Sequence, residues 1–127
     1  MKIVLDTHIV LSAANETLAP SRTELLIDQN NNLFISAITL WEITKLFEYK
    51  RIELVGGLQE FLECLYTHPK YTVVPIDPLV LKTLYNYSDK MHRDPADQLI
   101  VATALSLQGK LMTNDCKIIQ SKLVSVL

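Results

Sequence analysis

Short apolar runs rich in β-branched residues recur along this chain, and stretches with helical spacing separate them; that alternation constrains the fold more than any other feature. The runs are KIVL (Lys2–Leu5), LFIS (Leu33–Ser36), YTVVPI (Tyr71–Ile76) and LMT (Leu111–Thr113), with LVSVL (Leu123–Leu127) as a fifth candidate. Continuous apolar character over so few residues is how a strand reads when both faces of a parallel sheet are covered. The intervening stretches carry helix signals. SRTE (Ser21–Glu24) has the form of a capping box opening a helix through Ile27, and QNNN (Gln29–Asn32) supplies a turn. Ser36 caps a helix through Lys50, and Leu58, Phe61, Leu62 and Leu65 repeat at helical spacing after Gly56 and Gly57. Asp77 before Pro78, and Asp94 before Pro95, each pair an N-cap with a proline at the first helical position, the second helix ending at Gly109. Strands alternating with helices predict an α/β domain with a central, mainly parallel β-sheet.

Length and composition narrow the class further. A chain of 127 residues suits one domain over residues 1–127, and 49% hydrophobic residues with only 3 glycines exclude disorder and low complexity. No apolar run approaches the ~20 residues of a membrane span. Asp6 and His8 interrupt the apolar start, so it reads as a strand of a cytoplasmic protein rather than a secretory signal. Cys64 and Cys116 are too few and too far apart for a metal knuckle or redox pair and are expected to be packing residues.

Against this apolar background several acids stand in the wrong places. Asp6 and Asp115 each follow a strand, and sites in open α/β sheets form outside the carboxyl ends of the strands. Asp97 heads the stripe Ile100, Val101, Ala104 and Leu105, with Asp94 three residues before it. Helix capping accounts for either aspartate taken alone. Capping cannot account for Glu42, which lies mid-helix between Ile38 and Leu46; a salt bridge to a buried Lys or Arg is the plain structural explanation there. Taken together, Asp6, Glu42, Asp94, Asp97 and Asp115 can converge on one cleft, where their mutual repulsion calls for a cation. Oxygen donors without a Cys or His cluster select Mg²⁺ or Mn²⁺, which activate water for phosphodiester hydrolysis. Net charge is −2, yet with those five acids set aside 9 acids face 12 Lys and Arg, so an anionic substrate is permitted.

LDTHIVL, SAITLWEI, HRDPADQLIVATAL and LMTND, in that order and spanning nearly the whole chain, resemble the PIN domain family, most closely its VapC-like toxin ribonucleases of type II toxin–antitoxin systems. The resemblance implies a PIN-like three-layer fold with helices flanking the sheet and Asp6 on a middle strand. It implies an acidic quartet of Asp6, Glu42, Asp97 and Asp115, with Asp94 as an additional member, acting as catalytic and metal-binding residues of a Mg²⁺- or Mn²⁺-dependent endoribonuclease. Thr7 and Thr113, beside two of these acids, are expected to orient a carboxylate or water. The family's members are usually dimeric and silenced by a small antitoxin, so RNA, an antitoxin and a second copy are the expected partners. Apolar surplus at Leu25–Ile27 and on the Leu58–Leu65 helix suggests the homodimer face. His92, Arg93 and Lys45 are candidate RNA contacts. Ser12, Ala96 and Gln98 replace the Trp, Phe and Arg of many relatives, which leaves substrate choice open. A phosphatase of the haloacid-dehalogenase type would need a second aspartate at His8. The remaining alternative is a catalytically silent PIN-like scaffold that binds RNA or a protein partner.

Overall fold

The computed structural model describes residues 1–127 and contains four strands, all parallel, in the order β3-β2-β1-β4. Strands β1 (Lys2–Leu5) and β2 (Asn32–Ser36) occupy the interior, β3 (Tyr71–Val74) and β4 (Lys110–Met112) the edges. Val4 of β1 lies opposite Phe34 on one side and Leu111 on the other. Successive strand residues point to opposite faces, and β1 shows the consequence. Ile3 and Leu5 pack into one core with Leu33, Ile35, Ile43 and Leu65, while Val4 packs into the other with Ile100, Val101, Ala104 and Ile118. Both cores are covered by helices, which gives the three-layer α/β architecture expected from the alternation of elements.

The helices are α1 (Thr7–Ala14), α2 (Pro20–Ile27), α3 (Ala37–Glu48), α4 (Leu58–Thr67), α5 (Pro78–Tyr87), α6 (Pro95–Leu107) and α7 (Cys116–Ser121). Helix α6 is buried at Ala96, Ile100, Val101, Ala102, Thr103 and Ala104 because it lies against the sheet while α5 packs on it. Its terminator differs from expectation: Gln108, not Gly109, takes the left-handed conformation. Gly109 is needed for a different reason, since a Cβ there would meet Lys2 O at 3.1 Å and Lys2 Cβ at 3.2 Å where α6 returns beside β1. No helix is long and apolar enough to cross a membrane.

Several local expectations are corrected. Ser21 is not a cap: α2 begins at Pro20, so Ser21 lies inside the helix, and the cap position falls to Ala19, whose methyl side chain has no acceptor to offer. Helices α1 and α7 were not anticipated. Each starts at an acid following a strand, and the side chains of Asp6 and Asp115 accept from Thr7 N and Ile118 N as N-caps. Helix α3 stops at Glu48 and strand β3 at Val74, both short of their expected ends at Lys50 and Ile76. The fifth strand reduces to one parallel bridge, Leu111 to Val126, since β4 offers only three residues to pair with. Leu25, Leu58, Phe61 and Leu62 are not surplus but pack on the first core; the exposed apolar side chains include Ile27, Tyr66, Leu79, Leu81 and Tyr85. Cys64 and Cys116 are exposed free thiols rather than packing residues.

Candidate active site

Parallel strands all end on one edge, and that edge collects the acids. Asp6 follows β1, Asp115 follows β4 by two intervening residues, and Ser36 ends β2 and caps α3, the helix that carries Glu42. Asp94 and Asp97 occupy the cap and first turn of α6. The three-dimensional placement separates acids that capping explains from those it does not. Asp94 Oδ1 accepts from Ala96 N at 3.0 Å and Asp97 N at 3.1 Å, as an N-cap should. Asp97 does not reciprocate. Its Oδ2 lies 2.7 Å from His92 Nε2 instead. Glu42 has no Lys or Arg partner, so the salt-bridge explanation for it fails; the ion pairs made by the five acids are Asp97 with His92 and the longer contact of Asp6 Oδ2 with His8 Nδ1 at 3.5 Å.

Threonine hydroxyls hold the two deepest acids. Asp6, only 4% exposed, accepts from Thr7 N at 2.7 Å through Oδ1 and from Thr113 Oγ1 at 2.5 Å through Oδ2. Thr7 Oγ1 donates to Glu42 Oε1 at 2.6 Å and stands 3.0 Å from Thr39 Oγ1. A hydroxyl has one proton, so Thr39 must donate to Thr7, forming a chain that ends on the carboxylate. Each expected threonine therefore engages an acid brought near by folding rather than its sequence neighbour alone: Thr7 serves Glu42, Thr113 serves Asp6. Thr113 Oγ1 also accepts from Asp115 N at 2.9 Å.

Electrostatics tie the group together. Burial raises the Glu42 pKa; the Thr7 hydrogen bond opposes this, and the charges of Asp6, Asp97 and Asp94 add to it. Burial likewise raises Asp97, against the His92 hydrogen bond, with Asp94, Asp115 and Asp6 pushing the same way. An acid is lifted by neighbouring acids only when they share one region. His92, Asp94, Asp97, Asp115, Cys116 and Lys117 line a cavity of about 310 Å³ at this edge. A larger concavity of about 790 Å³, which includes Leu18, Leu26, Ile27, His68 and Tyr71, lies by the amino ends of β2 and β3 and shares none of these acids.

The donor set suits a hard divalent cation. One ligand atom from each of His92, Asp97 and Asp115 lies within 4.8 Å of the other two. Opposite ligands of an octahedral ion with ~2.1 Å bonds are about 4.2 Å apart, so this spread is close to that of one coordination shell. Oxygen predominates, and no lysine or arginine forms an ion pair with these acids, although Lys117 lines the same cavity.

Other expected site residues fall as follows. His92 is drawn into the cluster, Arg93 is exposed beside it, and the Lys45 ammonium is engaged with Glu48 at 2.9 Å on the surface of α3. Sequence reasoning missed Thr39, which the spacing of three residues before Glu42 on one helix could have suggested. It also missed the contacts of His8 and Arg22 with the turn after β4, for which no local signal exists.

A parallel three-layer α/β domain with carboxylates gathered at the strand ends defines the class, and comparison with known proteins agrees with it. The PIN domain model matches residues 3–121, and the chain belongs to that family. It is 31% identical over 115 residues to Ribonuclease VapC22 of Mycobacterium tuberculosis (strain ATCC 25618 / H37Rv), covering 89% of this chain and 86% of that protein. Its fold is similar to VapBC2 from Rickettsia felis, crystallised on a DNA fragment from its promoter, with a TM-score of 0.74 at 20% identity over 100% of this chain and 98% of the other. VapBC-1 from nontypeable Haemophilus influenzae gives 0.73 at 19% identity, over 100% and 97%.

Proposed function

We propose that this chain, as a single PIN domain over residues 1–127, is a metal-dependent endoribonuclease and the toxin of a toxin–antitoxin pair. The observation that carries the reading is the convergence of Asp6, Glu42, Asp94, Asp97 and Asp115 on one edge with no Lys or Arg in an ion pair with any of them. Such a cluster destabilises an empty domain and makes sense as a site for a cation. The 31% identical relative is named a ribonuclease, and the similar structures are VapBC assemblies, which supports RNA as substrate and an antitoxin as partner.

Asp6, Asp97 and Asp115 would hold the ion, with Glu42 and Asp94 binding a second ion or orienting water. Bound Mg²⁺ or Mn²⁺ supplies charge neutralisation at the scissile phosphate and a water of lowered pKa. The chain's own part is positional. Thr113 fixes the Asp6 carboxylate, the Thr39–Thr7 hydroxyl chain fixes one oxygen of Glu42, and the other Glu42 oxygen is left to align a water. Burial raises the Glu42 pKa above the ordinary carboxylate value, which makes it a better acceptor for a proton from that water. His92, which lines the cavity, and the exposed Arg93 next to it in the chain would meet the phosphate backbone. Lys45 is occupied by Glu48 and would reach RNA only by leaving it.

Cytoplasmic RNA is the proposed target. A homodimer is proposed through the exposed apolar side chains Leu79, Leu81 and Tyr85 of α5 rather than through α4, whose Leu58, Phe61, Leu62 and Leu65 pack on the core. A monomer by sedimentation at micromolar concentration, without antitoxin, would remove it.

The decisive experiment incubates purified protein with total RNA in Mg²⁺ or Mn²⁺, with and without EDTA, beside Asp6→Asn. Discrete fragments lost with chelator and with the substitution are expected. Folded protein that cuts nothing in either metal would return the silent scaffold.

A further inference from the structure

Helix α2 supplies no acid to the site, yet it sends one side chain to the turn on which the site depends. Arg22 Nη1 donates to Asn114 Oδ1 at 2.6 Å, and its Nη2 donates to Thr113 O at 3.0 Å and to Leu127 O at 2.7 Å. None of these acceptors is an Asp or Glu side chain, and Arg22 forms no salt bridge with one. A guanidinium that binds the Asn114 amide and the Thr113 carbonyl, both neutral, is spent there on geometry, since its planar fork fixes the relative placement of what it binds.

What it fixes is the segment that links two of the acids. Thr113, fully buried, donates its hydroxyl to Asp6 Oδ2 and accepts the amide of Asp115 on the same oxygen. Its carbonyl is held by Arg22. Asn114, the next residue, has its side chain held by Arg22 and its amide donated to His8 Nε2 at 2.9 Å. The turn is thus clamped from both flanks, by His8 from α1 and by Arg22 from α2. The contact with Leu127 O adds the segment whose Ser125 O and Leu127 N pair with Leu111 of β4, immediately before the turn. Rotation of Thr113 or Asn114 would uncouple Asp6 from Thr113 and swing Asp115 relative to Asp97.

We propose that Arg22 is a positioning residue of the acidic site, acting through the Thr113–Asp115 turn to hold the Asp6 carboxylate on Thr113 and to set Asp115 at metal-ligand spacing from His92 and Asp97. The inference rests on reading those acids as a metal-dependent nuclease site, but the sign of its effect is independent of cleavage. Arg22 is a cation one residue from Asp115. By electrostatics alone, neutralising it would tighten the binding of a divalent cation. Positioning requires the opposite.

The test measures Mn²⁺ affinity by isothermal titration calorimetry at physiological ionic strength for wild type, Arg22→Gln and Arg22→Lys, with melting temperature and RNA cleavage kinetics alongside. Loss of such an outer partner weakens metal affinity by about 10- to 100-fold. That loss is expected in both variants, because lysine keeps the charge but not the fork, with kcat falling and KM for RNA unchanged. Should Arg22→Gln fail to fold, Arg22→Lys decides alone. Affinity unchanged in the folded variants, or tighter in Arg22→Gln, overturns the proposal. So does a rise in KM with metal affinity intact, which would make Arg22 an RNA contact. Wild type that binds Mn²⁺ but cuts no RNA would sink the nuclease reading and leave this one to the calorimetry; wild type that binds no Mn²⁺ sinks both.

Discussion

Replacing Thr7 with valine removes one oxygen from the centre of the site and keeps the side-chain shape. That oxygen donates to Glu42 at 2.6 Å and lies 3.0 Å from the Thr39 hydroxyl, and Thr39 is fully buried. A hydrogen bond to a charged acceptor is worth about 1.5–3 kcal/mol, and Thr39 loses its acceptor as well. The added methyl returns about 0.8 kcal/mol through its burial. Because Glu42 is only half-buried, the lower part of the range applies, and the net loss for the metal-free protein should be about 1–3 kcal/mol near neutral pH. For a domain of this length that lowers the melting temperature by about 4 °C per kcal/mol. The pH dependence carries the sharper test. The Thr7 bond favours the charged form of Glu42, whose pKa burial already raises, so the variant's deficit should shrink as pH falls through that raised pKa towards about pH 4. Urea denaturation of wild type, Thr7→Val and Thr7→Ser at both pH values measures it. A deficit of equal size at both, or a serine variant as unstable as valine, would refute the hydroxyl-to-carboxylate account.

Three further expectations concern the acids directly. A carboxylate whose folded pKa is raised confers stability that is intact below its unfolded pKa and lost as pH rises through the folded value; Glu42→Gln removes that loss, so the metal-free variant should melt at or above wild type at neutral pH, the gap closing in acid. A lower neutral-pH melting temperature for Glu42→Gln would count against a strained cluster. Mn²⁺ at about 100 times its dissociation constant should stabilise wild type by about 2.7 kcal/mol, and Asp6→Asn should abolish the shift in calorimetric scans. Asp94→Ala should cost about 1 kcal/mol through loss of the α6 cap while Asp94→Ser restores it; if Asp94→Ser also keeps full cleavage, the Asp94 charge has no part in the chemistry.

The elements of the fold were legible where a local period or cap announced them. β1, α3, α5 and α6 follow from apolar spacing and from Ser36, Asp77 and Asp94, whose side chains do cap. Helices α1 and α7 were hidden because their caps, Asp6 and Asp115, read as site residues, and one aspartate can be both. The acids themselves were legible because a carboxylate on an apolar stripe conflicts with its surroundings, and such conflicts mark function.

The sequence by itself determined which residue types are available and which strand or helix each acid stands on, because those depend on neighbours within a turn or two. Only the tertiary structure decided what each acid touches. Thr113 reaches Asp6 across 107 residues, Thr7 reaches Glu42 across 35, and Arg22 reaches Asn114 across 92. Parallel strands require crossovers, so residues meeting at one sheet edge are necessarily distant in the chain, and no local pattern records which of them will share a hydrogen bond.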